Sequence, residues 1–202
     1  MARLSISLLG PFHAKLDEES IAGFRSDKAR ALLAYLAVEA ERRHSRHSLA
    51  GLLWPDRPES AALTNLRIEL SNLRQLIGDH HASPPFLNVT REAIQFNRAS
   101  DHWLDVAEFC ALTQNRRDGQ PAVQELEAAI RLYRGSFLQG FALKDSAGFD
   151  DWCLLTHERL LREALEACRK LANHYEREGE FERACEVARH AIELDKASFF
   201  KV

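Results

Sequence analysis

The sequence predicts a mainly α chain with a small antiparallel β component, divided into two parts near Ser100. Three observations carry this. Only 9 Gly and 6 Pro stand among 202 residues, which favours long regular elements over loop-rich β architecture. Before Ser100 the apolar pattern mixes strand and helix periods, and after it only the helical period remains. Residues 1–98 carry a formal charge of +2 and residues 99–202 one of −5, so the basic excess lies in the first part. A hydrophobic fraction of 46% supplies a globular core and excludes disorder.

The elements follow in order. Leu4, Ile6 and Leu8 alternate with Ser5, Ser7 and Leu9, a strand pattern. Gly10–Pro11 ends it, Phe12 to Leu16 returns as a second strand, and Ser20–Ile21 offers a third. The turn at Asp17–Glu18–Glu19 lacks the Gly that such turns prefer. From Asp27, Ala29, Leu32, Leu33, Leu36, Ala37 and Ala40 form a helical stripe, with Ser26 as N-cap. A short second helix is capped by Ser45, buries Leu49, Leu52 and Leu53, and stops at Trp54–Pro55. In the third helix, Asp56 and Glu59 read as a capping box with Pro58 in the first turn. Its predicted seam is Leu63, Leu66, Leu70, Leu73 and Ile77, and Gly78 stops it. Phe86 to Thr90 and Ala93 to Phe96 flank Arg91–Glu92 as a hairpin.

The second part reads as helix throughout, with no strand from about residue 101. Val106, Phe109, Cys110 and Thr113 mark one helix, and Leu126, Ala129, Ile130 and Tyr133 another. A Gly-bounded loop leads to a long helix with a stripe of Trp152, Leu155, Leu161, Leu165, Cys168, Leu171, Ala172 and Tyr175. After Gly179 a last helix runs from Phe181 to about Leu194.

Helix, short helix, sharp turn, long helix and hairpin is the order of a helix-turn-helix followed by a wing. The third helix carries Thr64, Asn65, Arg67, Ser71, Asn72, Arg74 and Gln75 away from its seam. Arg chelates guanine O6 and N7, and Asn or Gln chelates adenine N6 and N7. Short hydroxyl side chains suit phosphates. Every soluble helix has a polar face, so this helix alone decides nothing. Around it, however, cluster Arg42, Arg43, Arg46, Arg57, Arg67, Arg74, Arg91 and Arg98, with no Lys between residues 42 and 98. Arg is the side chain that forks onto phosphates and base edges.

These stretches carry a family resemblance. LSISLLGPF, SDKARALLAYLAVEA, HSLAGLLWPD, LTNLRIELSNLRQLIGD and VTREAIQF resemble the OmpR/PhoB-like winged helix-turn-helix of the SARP-type bacterial transcriptional activators. DHWLDVAEFCAL, LEAAIRLYRGSFLQGF, DDWCLLTHERLLREALEACRKLA and GEFERACEVARHAIELD resemble the TPR-like bacterial transcriptional activator domain that follows in that family. Leu171, Ala172, Tyr175, Gly179, Phe181, Ala184, Ala188, Ala191 and Ile192 stand at spacings close to a TPR repeat. The resemblance implies a DNA-binding domain over 1–98 and a helical activator domain over 101–202, apparently shortened. The ending LDKASFFKV implies a fragment of a longer regulator or a reduced helical domain. It leaves an apolar edge near Phe181–Val202, because a terminal repeat needs a polar cap or a partner.

The implied DNA-contact set is Arg43 and Ser45 at the second helix, Thr64, Asn65, Arg67, Ile68, Glu69, Ser71, Asn72 and Arg74 on the third, and Arg91 in the wing loop. Three positions depart from the family. His47 replaces an acid near a helix start, and Ile68 and Glu69 stand where small or polar residues are usual. A carboxylate is repelled by phosphates unless it accepts from cytosine N4, so Glu69 either tunes specificity or weakens binding. The expected function is a sequence-specific transcriptional activator on double-stranded promoter DNA. Its helical domain would contact RNA polymerase, another copy of the chain, or a sensory module. The alternative is a helical interaction module whose winged helix does not bind DNA, which Glu69 and the net charge of −3 motivate.

Other constellations point away from chemistry. No GxSxG, P-loop or HExxH motif occurs, so neither an enzyme nor a cofactor is expected. His44, His47, His80 and His81 lack partners at ligand spacing and read as solvated, with no metal. Asp150–Asp151, near His157, serve a helix start. Trp54, Trp103 and Trp152 read as core. The Cys at 110, 153, 168 and 185 form no CxxC pair and read as reduced, buried thiols of a cytoplasmic protein. No apolar run reaches the roughly 18 residues of a membrane span, and the N-terminus does not read as a signal peptide.

Overall fold

The computed structural model describes residues 2–114 and 122–199. It forms two compact units. The first comprises the stretch ending at Ser7, Phe12–Leu104 and Phe141–Trp152, and the second comprises Leu8–Pro11 with the described residues of 105–140 and 153–199.

In the first unit, strand β1 (Leu4–Ser7) pairs antiparallel with β2 (His13–Leu16), which pairs with β3 (Glu19–Ser20). Leu4 and Ile6 are fully buried, and Ser5 and Ser7 less so, as period-two alternation requires. The turn manages without Gly because Asp17 adopts a left-handed φ of 53°, which Asp tolerates better than most residues. Its Oδ1 accepts from Arg3 N–H at 2.9 Å. On the other edge of β1, β7 (His102–Leu104) pairs in parallel. This strand corrects the expectation of helix alone from about residue 101. The order is β3-β2-β1-β7.

Helix α1 (Asp27–Val38) starts at Ser26, whose Oγ accepts from Ala29 N–H at 3.2 Å. The pair β4 (His44–Ser45), α2 (Arg46–Leu53) follows, then α3 (Glu59–Leu76). Strands β5 (Leu87–Val89) and β6 (Ala93–Phe96) form the hairpin, and β4 adds to it in the order β4-β6-β5. This is the winged helix-turn-helix that the element order predicts.

Two details of α3 differ from expectation. The Asp56–Glu59 capping box does not form; Pro58 is the N-cap, with no side-chain cap bond, and its carbonyl accepts from Ala61 and Ala62. The buried seam is Ala62, Leu66, Leu70, Leu73 and Ile77, while Leu63 is only half-buried. The seam rotates because Ala62 fits the close approach to the neighbouring helices better than a Leu. Burying each of these Leu and Ile side chains contributes about 1.5–3 kcal/mol. Gly78 ends the helix at a φ of 66°, and Asp79 N–H closes back on Arg74 O at 2.9 Å.

His44 corrects the reading of a solvated histidine. It is buried, bonded through Nε2 to Glu39 O at 3.1 Å and set edge-on against Tyr35. Trp54, Trp103 and Trp152 are only partly buried, which corrects the reading of each as core. Trp152 Nε1 donates to Glu39 Oε1 at 2.9 Å.

The second unit holds α4 (Asp105–Gln114), α5 (Val123–Leu132), the part of α6 (Ala147–Arg177) from Cys153 on, and α7 (Phe181–Phe199). Its core gathers Leu126, Ala167, Leu171, Tyr175 and Ala184. Leu8–Pro11 joins this unit through Asp105, whose fully buried carboxylate accepts from Leu8 and Leu9 N–H at 2.8 and 2.9 Å. The buried stripe of α6 is Thr156, Leu160, Ala164, Ala167, Cys168, Leu171 and Tyr175; it keeps Cys168, Leu171 and Tyr175 of the predicted stripe and shifts about one residue round nearer its start. Leu155, expected inside, is 67% exposed. The turn at Gly179, with a φ of 77°, follows the repeat pattern, yet Phe181 is exposed. Phe200 and Val202 lie outside the described residues, as does the side chain of Phe199.

Cys168 is buried, and burial pushes its thiol up to about 11. Cys185 is exposed, which corrects the reading of four buried thiols. Among the described residues no helix is long and apolar enough to cross a membrane, and no group of His, Cys, Asp or Glu is placed to hold a metal ion.

Candidate nucleic-acid interface

The first unit gathers three elements round one recess. Ser45 caps α2, its Oγ accepting from Ser48 N–H at 3.0 Å. The first turn of α2 holds no acid of its own, and Glu59 Oε1 lies 3.2 Å from His47 Nε2 there. Arg46 fastens this end to the hairpin: its Nε and Nη2 donate to Thr90 O at 3.1 and 2.9 Å, and its N–H to Glu92 O at 3.0 Å. Thr90 Oγ1 accepts from Ala93 N–H at 3.0 Å, which tightens the tip that carries Arg91 and Glu92. The recess of about 500 Å³ is lined by Ser45, Arg46, His47, Leu63, Thr64, Arg67, Arg91 and Glu92.

Helical geometry sorts the expected contact residues on α3. Opposite the seam, Thr64, Arg67, Ile68, Ser71 and Gln75 are all exposed. Asn65, Glu69 and Asn72 lie half-buried on one flank and Arg74 on the other. Glu69 Oε2 and Asn72 Nδ2 are inaccessible to solvent. Arg74 is committed elsewhere: its Nε donates at 2.7 Å to Asp79 Oδ2, a carboxylate with no exposed surface, and Asp79 Oδ1 accepts from Leu87 N–H at 2.9 Å. Arg74 therefore locks the end of α3 to the base of the hairpin.

The structure thus brings together Ser45, Thr64, Arg67 and Arg91, and sets Asn65, Glu69, Asn72 and Arg74 to the sides. Arg43 is exposed just before β4. Among the described residues, the guanidinium groups of Arg43, Arg67 and Arg91 make no ion pair or hydrogen bond. By contrast Arg42 pairs with Glu39 at 3.0 Å and Arg98 with Glu41 at 3.3 Å. Arg67 and Arg91 line the recess, and Arg43 stands just before β4.

Sequence reasoning passed over Gln75 as a contact candidate, Arg46 as a clamp, and Asp79 altogether. A helical wheel centred on Ala62 rather than Leu63 keeps Gln75 on the outer face and moves Asn65 towards its flank. Asp79 had no signal, because its partners are fixed by the path of the loop that follows Gly78.

Comparison with known proteins agrees with this architecture. Residues 104–197 match the family described as the bacterial transcriptional activator domain. The chain is similar to the transcriptional regulatory protein EmbR of Mycobacterium bovis and to that of Mycobacterium tuberculosis, at 30% identity over 142 residues in each case. Those alignments take in 67% of this chain and 36% of each relative, so the chain spans little more than a third of their length. A solved structure of Mycobacterium tuberculosis EmbR in complex with a low-affinity phosphopeptide is similar in fold. It has a TM-score of 0.64 at 24% identity, over 98% of this chain and 56% of that one.

Proposed function

We propose that this chain, which carries a bacterial transcriptional activator domain and resembles the SARP-type activators in fold, binds promoter DNA and regulates transcription from it. The DNA-binding part is assigned to residues 1–98 and the protein-contacting part to residues 101–202. In this reading α3 enters the major groove with Thr64, Arg67, Ile68, Ser71 and Gln75 facing the bases. Ser45, Arg43 and Arg91 meet the sugar–phosphate backbone on either side.

The observation that carries the reading is Arg67. It is exposed, without a carboxylate partner, at the recess edge of an outer face otherwise made of Thr64, Ile68, Ser71 and Gln75. A helix backbone approaches base edges closely where Thr and Ser replace longer residues. An Arg there reaches guanine O6 and N7 in a bidentate fork. Glu69, the chief sequence argument against DNA binding, is half-buried on a flank, with one oxygen shielded from solvent. It lies off the face that would meet the groove.

The helical part supports a protein-contact role through exposed Phe181 and Ile192, 65% and 53% accessible. Another copy of the chain or RNA polymerase is the partner in this reading. The test is duplex binding by fluorescence anisotropy, comparing the wild type with a variant carrying Arg43→Ala, Arg67→Ala and Arg91→Ala together. Binding by the wild type that is lost in the variant supports the reading. Equal affinity in both chains contradicts it and favours an interaction module without DNA.

A further inference from the structure

Ile68 is the anomaly of the proposed reading face. It is 45% exposed, with Thr64, Ser71 and Gln75 along the middle of the face and Arg67 beside it. Arg67 points to the side of the recess, which Ile68 does not line. The other exposed large hydrophobic side chains among the described residues, Leu154, Leu155, Phe181 and Ile192, all belong to the second unit. Ile68 is therefore a single apolar group among hydrogen-bonding ones, not part of an apolar patch.

That arrangement decides between occupants. A protein partner buries a contiguous apolar core rimmed by polar groups, and here no second large apolar side chain stands beside Ile68. The major-groove edge of DNA has the complementary pattern: donors and acceptors interrupted by one apolar feature, the C5-methyl group of thymine. A branched aliphatic side chain covers that methyl, while a hydroxyl or amide in its place would be desolvated without a partner.

We propose that Ile68 reads thymine through its C5-methyl group, so that the bound sequence holds a thymine at the position facing Ile68 and a guanine near it for Arg67. This rests on the reading of α3 as the DNA-contacting helix. It adds a specificity residue that acts by apolar contact and without a hydrogen bond.

The test uses the full chain and duplexes it selects from a pool with a random core. Each thymine of a selected duplex is replaced in turn by deoxyuridine, which lacks only the methyl group. The wild type should lose affinity at one thymine by about fourfold, the transfer worth of one buried methyl. Ile68→Ala should bind the thymine and uracil duplexes alike. Its thermal midpoint should be unchanged, because the site is exposed and Ala is the best helix former. If selected duplexes tolerate uracil at every position, or if Ile68→Ala keeps the uracil penalty, the assignment to Ile68 is wrong while α3 remains the reading helix. If no duplex is selected over scrambled DNA, the DNA-binding reading itself falls, and the role of Ile68 with it.

Discussion

Arg74→Ala separates a structural arginine from a DNA-contacting one. On the sequence alone Arg74 stands among the residues expected to face DNA. In the structure its Nε lies 2.7 Å from Asp79 Oδ2, and the Asp79 side chain has no exposed surface. Removing Arg74 leaves a buried carboxylate with the Leu87 N–H at 2.9 Å and no countercharge. Breaking a fully buried pair costs about 3–5 kcal/mol, and losing one hydrogen bond to a charged group about 1.5–3. The Arg74 side chain is 27% exposed, so water already screens part of the pair and can reach the vacated site. The expected loss is accordingly near the lower range, about 2 kcal/mol. For a unit of roughly 100 residues that lowers the thermal midpoint by roughly 8–16 °C. The assay is thermal unfolding by circular dichroism, alongside DNA binding at several salt concentrations below the midpoint. The salt slope should equal that of the wild type. An unchanged midpoint with a slope shallower by about one unit would show instead that Arg74 meets a phosphate, and would refute the lock between α3 and the hairpin.

Three further outcomes follow from the same geometry. Arg67→Ala should cost about 1–3 kcal/mol of preference at one base pair, whereas Arg91→Ala should weaken all duplexes alike and flatten the salt slope by about 0.9; selection from random duplexes and salt titration distinguish the two. Asp105 is held above its ordinary carboxylate value by burial, against the bonds from Leu9, Leu8 and Val106 N–H and the charge of Arg134. It therefore binds its proton more tightly folded than unfolded. Its contribution is greatest below the unfolded value near 3.8 and declines as pH rises through the higher folded value. Urea unfolding across that window should show the wild type losing stability relative to Asp105→Asn, and a difference that does not vary with pH would contradict the direction. A maleimide should modify Cys185 first and Cys168 last, since Cys185 is exposed and Cys168 is buried with its thiol pushed up to about 11; peptide mapping over time reads the order.

Local rules found most of the elements because local chemistry decides them. Ser26 and Ser45 cap where they were expected to, and Gly78 and Gly179 stop helices at positive φ. What local rules missed depends on distant residues. His102–Leu104 becomes a strand because β1 offers it an edge almost a hundred residues earlier in the chain. His44 is buried because Tyr35 and Glu39 O meet it there. Leu63 and Leu155 fit helical stripes by spacing, yet Ala62 and the Leu160–Ala164–Ala167 row take the inner positions. Small residues at close helix crossings carry little hydrophobic signal, so a stripe drawn through Leu alone rotates the wheel. The same rotation carries Asn65, Glu69 and Asn72 towards the flank of α3, whereas Arg74, on the other flank, is drawn aside by its bond to Asp79. Arg67 and Ser71 sit far enough from the seam to survive the rotation.

The most direct test of the central claim is the salt dependence of duplex binding by the intact chain. Arg43 and Arg91, the free guanidinium groups that meet the backbone in this reading, set a slope of log affinity against log salt near −1.8 or steeper, at about −0.9 for each phosphate neutralised, while Arg67 meets a base edge. A slope of that size, with a selected duplex bound more tightly than its scrambled counterpart, is the predicted result. No binding at low salt, or an affinity indifferent to salt, would contradict a DNA-reading role for this winged helix.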